Sequence, residues 1–133
     1  MIRVKRKSSS RKGAAVAELA ICLPAILLLV LGAIECTSMI FLRQTLAITA
    51  YEGVRIGIKN DTTTADVNNR CNQLFTERDV EGGTVTTDPV NTEAAGRGEP
   101  VTVIVRAPAD ANSILPLQFF SGELQATAIM IKE

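Results

Sequence analysis

Two acidic residues inside a long apolar stretch are the side chains best placed to do chemistry. Glu18 and Glu35 are the only charged residues between Gly13 and Leu42. An ionised carboxylate at the centre of a bilayer helix costs about 2.5–3.5 kcal/mol on insertion scales, so each acid needs a membrane boundary or a compensating partner. At the helical turn angle the two acids point about 100° apart. They are therefore not the paired carboxylates of an acid–base catalyst.

The other reactive residue types exclude the common enzymatic sites. The chain has 133 residues and no histidine, which removes Ser-His-Asp and Cys-His catalysis and the commonest metal ligand. The three cysteines, Cys22, Cys36 and Cys71, lack the spacing of a zinc site. The glycine pair at 82–83 is not followed by the lysine–serine pair of a phosphate loop. We predict that the protein is not an enzyme and uses no metal, cofactor or small-molecule substrate.

The charge distribution is strongly asymmetric although the total formal charge is zero. Residues 1–12 carry six bases and no acids, so residues 13–133 keep eight bases against fourteen acids, a net charge of −6. A basic head directly before an apolar run follows the positive-inside pattern and predicts a cytoplasmic N-terminus. A nucleic-acid-binding tail is the weaker interpretation, because the cluster is short and lacks aromatic residues. We predict no nucleic-acid partner.

The apolar run predicts a membrane-spanning helix in the first half of residues 14–59. The sixteen residues from Leu19 to Ile34 carry no formal charge, and a bilayer needs about twenty mostly apolar residues. A cleavable secretory signal is the rival interpretation, but the run is long for one and no small-x-small cleavage site follows it. Pro24 lies inside the run and predicts a bend there.

Beyond the membrane segment the helical pattern continues. Apolar residues recur every four positions at Leu42, Leu46, Ala50, Val54 and Ile58, with Ala47 and Tyr51 beside them, which predicts a helix to about Ile58 that buries this stripe. Asn60 and Asp61 favour a turn after it. A second helix is expected from about Ala65 to Arg78, with Thr63 or Thr64 as its cap and Asp66 near its positive end. Its inner face is predicted to comprise Val67, Cys71, Leu74 and Phe75.

The C-terminal part predicts a small sheet. The expected strands are Thr84 to Thr87, the β-branched segment PVTVIVRAP at 100–108, and the alternating segment at the end of the chain. The predicted fold class is therefore α+β: a long N-terminal membrane-spanning helix, a second short helix and an antiparallel sheet of about three strands. Residues 60–133 would form the small extracytoplasmic domain, with the sheet packed on the extramembrane part of the long helix.

The segment RKGAAVAE, which ends at Glu18, resembles the type IV prepilin signature. In that signature a basic leader ends in glycine, and the glutamate becomes the fifth mature residue after cleavage. Pro24, the Gly32–Glu35 spacing, and the later Ala50, Glu52, Gly53 and Arg55 are similar to the motifs of the TadE-like proteins of the tight-adherence (Flp) pilus. The strand, leucine/proline/aromatic loop and last strand at 101–130 match that family's layout as well.

The resemblance implies a pilin-like protein with a leader at 1–13 that a prepilin peptidase removes between Gly13 and Ala14. Glycine suits that site because it lets the enzyme approach the backbone closely; a plain flexible joint is the alternative. The new α-amino group has a reference pKa of about 8 and is mostly cationic at neutral pH. The resemblance implies that Glu18 meets this amine on a neighbouring subunit during assembly. Snorkelling of Glu18 to the cytoplasmic headgroups is the other interpretation.

The function implied is that of a minor pilin or pseudopilin in biogenesis of a Tad pilus, supporting adhesion. Its partners would be the membrane, the prepilin peptidase, other pilins or pseudopilins and the Tad assembly machinery. It would be a single-pass inner-membrane protein with its C-terminal domain periplasmic or extracellular, and its entry into the pilus stays open. The alternative is an uncleaved signal-anchored envelope protein that binds a partner through its extracytoplasmic domain.

The roles of two acids of the motif, Glu35 and Glu52, are less closely defined by the sequence. Glu35 is expected at the far membrane boundary, beside Thr37 and Ser38. Glu52 and Arg55 are helical neighbours three positions apart, a spacing that contributes a few tenths of a kcal/mol when the charges pair. With Gly53 between them for close packing, they either support the contact between helix and sheet or simply face solvent.

Overall fold

The computed structural model describes residues 9–115 and 120–133. Its helices are α1 (Ser9–Gly57) and α2 (Thr64–Glu77), and its strands are β1 (Thr84–Asp88), β2 (Pro100–Pro108) and β3 (Glu123–Ile131). The α+β fold class predicted from the sequence is confirmed. Residues 1–8, with most of the basic head, and 116–119, within the connection before β3, lie outside the described residues.

The chain divides into two compact units, residues 1–34 and residues 35–133. The second unit begins inside α1 because the last part of that helix packs with the C-terminal elements. The boundary expected at about residue 60 separates α1 from the elements that follow it, whereas the two compact units divide between Ile34 and Glu35.

The first unit contributes the apolar part of α1. The helix is described from Ser9, five positions before the expected start at Ala14. Within the described residues, α1 is the one helix long and apolar enough to cross a membrane, with a mean hydropathy of 2.6 over its most apolar window and none of that window buried. The side chains that a bilayer would cover are thus left uncovered by the protein itself. Pro24 lies inside the helix, and the bend expected there stays a prediction.

The second unit is built around the central strand of a three-stranded antiparallel sheet of order β1-β2-β3. Ile104 of β2 is paired with Thr86 of β1 and with Thr127 of β3. Side chains alternate along β2, so that one face is buried and contributes Val101, Val103, Val105 and Ala107 to the core. On β3 the partly buried side chains of Leu124, Ala126, Ala128 and Met130 pack against that core.

The extramembrane part of α1 covers this sheet face. Leu42, Leu46, Ala50 and Val54 are buried in the core as the four-residue spacing predicts. The expectation for Ala47 and Tyr51 was wrong, since both are exposed. Thr45 and Thr49 are buried instead. The buried face of α1 therefore extends from the apolar stripe toward the two threonines and not toward Ala47 and Tyr51.

Helix α2 closes the core from another side. Thr63 is its N-cap: the Thr63 hydroxyl accepts from the Asp66 backbone N–H, and the Asp66 carboxylate accepts from the Thr63 backbone N–H at 2.8 Å. This reciprocal capping box satisfies N–H groups that the first turn leaves without helical partners. The predicted inner face is confirmed, since Val67, Cys71, Leu74 and Phe75 are all buried.

Candidate functional site

The N-terminal motif residues lie on the exposed surface of α1 in the first unit. Gly13, Ala14 and Glu18 are helical and exposed, and a Cβ added at Gly13 would meet nothing within 4 Å. No packing requirement in the described structure therefore explains glycine at position 13. Its role in processing, like that of Glu18 in assembly, stays a prediction.

The downstream motif lies in the second unit, where α1 meets α2 and the sheet. Glu52 and Arg55 face the surface, with the Arg55 Nη1 atom 3.6 Å from Glu52 Oε1. Such an exposed pair at helical spacing stabilises by about 0.3–0.5 kcal/mol at most. The pair therefore contributes little to the stability of the fold; the Arg55 side chain is exposed and the Glu52 side chain is half-buried.

Gly53 lies between this pair and faces inward. A Cβ at this position would stand 2.7 Å from the Cys71 Sγ atom and 3.2 Å from Val103 Cγ1. The missing side chain thus lets α1 approach both α2 and the central strand β2. Gly57, one turn later, is also buried, and a Cβ there would lie 3.4 Å from both Val101 and Val67. The glycine of the motif fixes the spacing of the three elements.

Cys71 occupies the space that Gly53 leaves. Its Sγ atom is buried and lies 3.8 Å from the Thr49 carbonyl oxygen, as a weak donor. Burial raises the pKa of the Cys71 thiol to about 11, and neighbouring Arg70 offsets only part of this shift. The thiol is therefore protonated at neutral pH and acts as a small apolar packing group rather than a nucleophile.

Glu35 is fully buried, at 0% exposure, in the first turn of the second unit. The Ser113 hydroxyl donates a short hydrogen bond to Glu35 Oε1. The Leu115 backbone N–H donates to Glu35 Oε2 at 3.4 Å. The expected position at a membrane boundary stays a prediction, but the compensating partner that a carboxylate needs there is present within the chain.

Ser113 is the site residue that sequence reasoning missed. It follows a one-turn 3-10 helix, Asp110–Asn112, in the connection after β2. Its Oγ atom also lies 2.7 Å from the Leu115 carbonyl oxygen. Serine in a loop is common, and nothing in its local sequence indicates a partner 78 positions earlier. The contact exists only because the sheet brings the end of β2 beside the start of the second unit.

A polar network at the other end of the core was also not predicted. Lys132 is buried, and its Nζ atom donates to the Thr92 carbonyl oxygen at 2.6 Å. Thr92 N–H donates to the Thr64 hydroxyl, and the Thr64 N–H donates to the Glu93 carboxylate at 3.1 Å. Hydrogen bonds from the Glu93 backbone N–H and from the backbone N–H and hydroxyl of Thr64 lower the pKa of Glu93, and the nearby Lys132 cation lowers it further. The network ties the chain end to the start of α2 and satisfies its own donors and acceptors.

Among the residues that the structure describes, no group of three His, Cys, Asp or Glu side chains is placed to hold a metal ion. The polar contacts of this chain stabilise its own loops and helix ends. What the two units define is a class: an α+β protein with one N-terminal apolar helix of membrane-spanning length and a small folded domain after it.

The family model of the TadE-like proteins matches residues 13–55. The resemblance to the TadE-like family is thereby confirmed over these residues, which contain the whole set from Gly13 and Glu18 to Glu52, Gly53 and Arg55. The match associates the chain with pilin-like proteins of the Tad pilus, a structural rather than an enzymatic family. A search of curated proteins and a search of solved structures gave no match.

Proposed function

We propose that this protein is a TadE-like minor pilin or pseudopilin that acts in biogenesis of a Tad (Flp) type IV-like pilus and thereby supports adhesion. The observation that carries the proposal is the match of residues 13–55 to the TadE-like family. The match covers both the apolar segment and Gly53, at which α1 packs closely on α2 and β2. It therefore includes the proposed membrane helix and the motif of the folded domain.

The proposed topology is a single pass through the inner membrane. The six bases of residues 1–12 keep the N-terminus in the cytoplasm. The acidic remainder, from the end of the apolar run onward, is on the periplasmic or extracellular side. The exposed apolar surface of residues 13–34 supports the membrane pass, because a bilayer would cover these side chains.

Processing and assembly form the mechanistic part of the proposal. A prepilin peptidase cleaves between Gly13 and Ala14 and leaves the apolar helix in the product. Glu18 lies one turn inside the mature chain, close to the positive end of the helix and to the new amine, which is mostly cationic at neutral pH. A desolvated pair between Glu18 and the amine of a neighbouring pilin would neutralise both charges in lipid and fix the register of the two chains.

N-terminal sequencing of the membrane-extracted protein tests the processing step. In cells that contain a prepilin peptidase, the chain should begin at Ala14, and intact mass should show the loss of residues 1–13. A Gly13→Leu variant should keep its head, whereas the matched Gly32→Leu variant should be cleaved normally. Recovery of the unprocessed chain from wild-type cells would remove this part of the proposal.

A Glu18→Gln variant tests the assembly step separately. The amide has the size of the carboxylate but cannot neutralise an amine, so cleavage should continue while piliation and surface adherence fail. Glu81→Gln is the control, since Glu81 is an exposed acid of the folded domain outside the family motif. Normal piliation of the Glu18→Gln strain would leave Glu18 as a residue that snorkels to the headgroups.

The uncleaved envelope protein remains the second candidate because of one observation. Helix α1 is described from Ser9 and continues through Gly13 and Ala14, so the proposed cleavage point does not stand out as a break in the helix. In this alternative the protein is anchored by α1 and binds a partner through residues 35–133. The sequencing experiment separates the two, because only the pilin proposal requires a chain that starts at Ala14.

A further inference from the structure

We infer that the connection after β2, at Ile114 and Leu115, rests in the outer interface of the lipid bilayer together with Phe120 and the α1 residues Ile40 and Phe41. The partner of this surface is the membrane itself. The inference rests on the proposed membrane insertion of α1. It goes further, because it makes the folded domain a second point of contact with lipid.

The first step is the level of Glu35 along the helix. The chain from Ala14 to Glu35 rises about 32 Å at 1.5 Å per residue, close to the roughly 30 Å of a hydrocarbon core. The uncharged run Leu19–Ile34 ends at this residue. Glu35 is therefore placed where hydrocarbon gives way to headgroups.

The second step is the attachment of the connection at that level. The hydroxyl of Ser113 and the backbone N–H of Leu115 both donate to the Glu35 carboxylate. Ile114 lies between these two donors and is 67% exposed. Because both of its neighbours are bonded to Glu35, Ile114 is held close to Glu35.

The third step is the apolar character of the surrounding surface. Ile40 and Phe41 on α1 are 60% and 56% exposed, and Phe120 at the end of the connection is 39% exposed. Ile40 and Phe120 line one cavity of about 350 Å³ with Met39 and Leu124. Single exposed apolar residues need no explanation, but the pairing of Ile40 with Phe120 in one cavity, a short distance along the chain from a membrane segment, does.

The bilayer is favoured over a protein partner for two reasons. The apolar residues Ile40 and Phe41 follow the span within two turns of chain, so a protein seated on them would have to occupy the layer that the headgroups fill. Arg43 lines the same cavity, and an arginine beside aromatic and aliphatic side chains is typical of an interfacial surface that binds lipid phosphates. The bonds from Ser113 and Leu115 also satisfy the Glu35 carboxylate, which lets an acid sit at this boundary.

Spin labels on the full-length chain test the inference. Ile114→Cys, Val90→Cys and Ile26→Cys are made separately in a chain with Cys22→Ala and Cys36→Ala, then reconstituted in vesicles of phosphatidylcholine and phosphatidylglycerol. Collisions with oxygen, which concentrates in lipid, are compared with collisions with a water-soluble nickel chelate. Val90 is the matched control, because it is an aliphatic loop residue of the same unit with 77% exposure.

The label at position 114 should collide more with oxygen than with the chelate, and the label at position 90 should show the reverse. A water-exposed label at 114 beside a lipid-exposed label at 26 would overturn the inference and leave the membrane span intact. A water-exposed label at 26 would overturn both. A label at 114 that neither reagent reaches, with spin–spin broadening, would replace the bilayer with a second copy of the chain.

Discussion

The carboxylate of Glu35 on α1 is bonded to the hydroxyl of Ser113, a residue 78 positions later in the chain. This contact joins the first turn of the folded domain to the connection that precedes the last strand. Since Glu35 is completely buried, its oxygen atoms depend on donors from the protein. The connection is thereby held against the helix by hydrogen bonds to a side-chain carboxyl group and not by apolar packing alone.

Loss of the Ser113 hydroxyl should destabilise the folded domain. In Ser113→Ala the buried carboxylate keeps only the longer bond from Leu115, and an unsatisfied buried group costs about 1–3 kcal/mol. Thermal unfolding in mild detergent, followed by circular dichroism, should show a lowered midpoint. Ser121→Ala, at an exposed serine of the same connection, should leave the midpoint unchanged; equal midpoints for both variants would contradict the role of the contact.

A side chain at Gly53 should also destabilise the domain, through overpacking. Gly53→Ala brings a methyl group against Cys71 and Val103, and excess volume in a packed core costs about 1–3 kcal/mol. The double variant Gly53→Ala/Cys71→Ala removes the nearest obstructing atom and should recover part of this loss. The free energy of unfolding from denaturant titration measures both effects.

Gly32→Ala is the control for this series, because a Cβ at Gly32 would meet nothing within 4 Å. Alanine there should be neutral or slightly stabilising, as expected for a helix interior. Additive losses in the double variant would show that Gly53 and Cys71 do not share one packing space.

The capping box of α2 should contribute a pH-dependent part of stability. Hydrogen bonds from the Thr63 backbone and side chain hold the pKa of Asp66 below its ordinary value of 3.8. A carboxyl whose folded pKa is depressed stabilises the fold above its unfolded pKa, and this contribution disappears as the pH falls through the lowered value. Between neutral pH and pH 4 the contribution is therefore present, and it is lost on further acidification.

Thr63→Ala is the variant that tests the cap. It should cost about 1 kcal/mol at neutral pH, as for other threonine caps, and it should flatten the acid side of the stability profile below pH 4. Denaturant titrations at a series of pH values measure both. Thr76→Ala is the control on the same helix, since the Thr76 hydroxyl bonds only the Asn72 carbonyl, and it should leave the profile unchanged.

Cys71 should be inert to thiol reagents in the folded protein. Its pKa is raised to about 11 by burial, so at pH 8 it presents almost no thiolate. Iodoacetamide followed by intact-mass measurement should show Cys71 unmodified until the domain is unfolded in guanidinium. Cys36, which is exposed, is the internal control, and modification of Cys71 at the same rate would show that the core opens readily.

Local patterns were sufficient for most of the secondary structure. Alternation along residues 100–108 and the four-residue stripe on α1 each reflect burial of one face, which a single element reports by itself. These features are encoded within a few turns of chain, and the sequence alone determined them.

The long apolar helix and the resemblance to the TadE-like family were also predictable from residue types. The apolar run was predictable because hydrocarbon selects such runs in any fold. The outward position of Tyr51 was not, because an aromatic ring beside an apolar stripe suits either a core or a surface. Which flank of α1 is covered depends on where the sheet and α2 pack. The packing of the sheet and α2 buries Thr45 and Thr49 and leaves Tyr51 exposed.

Tertiary structure alone decided the contacts that give the motif residues their surroundings. Gly53 is read from the sequence as a site of close packing, but only the fold shows that Cys71 of α2 fills the space above it. Glu35 is read as a boundary acid, but only the sheet brings Ser113 to it. Both pairings join residues far apart in the chain, and such partners are set by the packing of whole elements rather than by any local pattern.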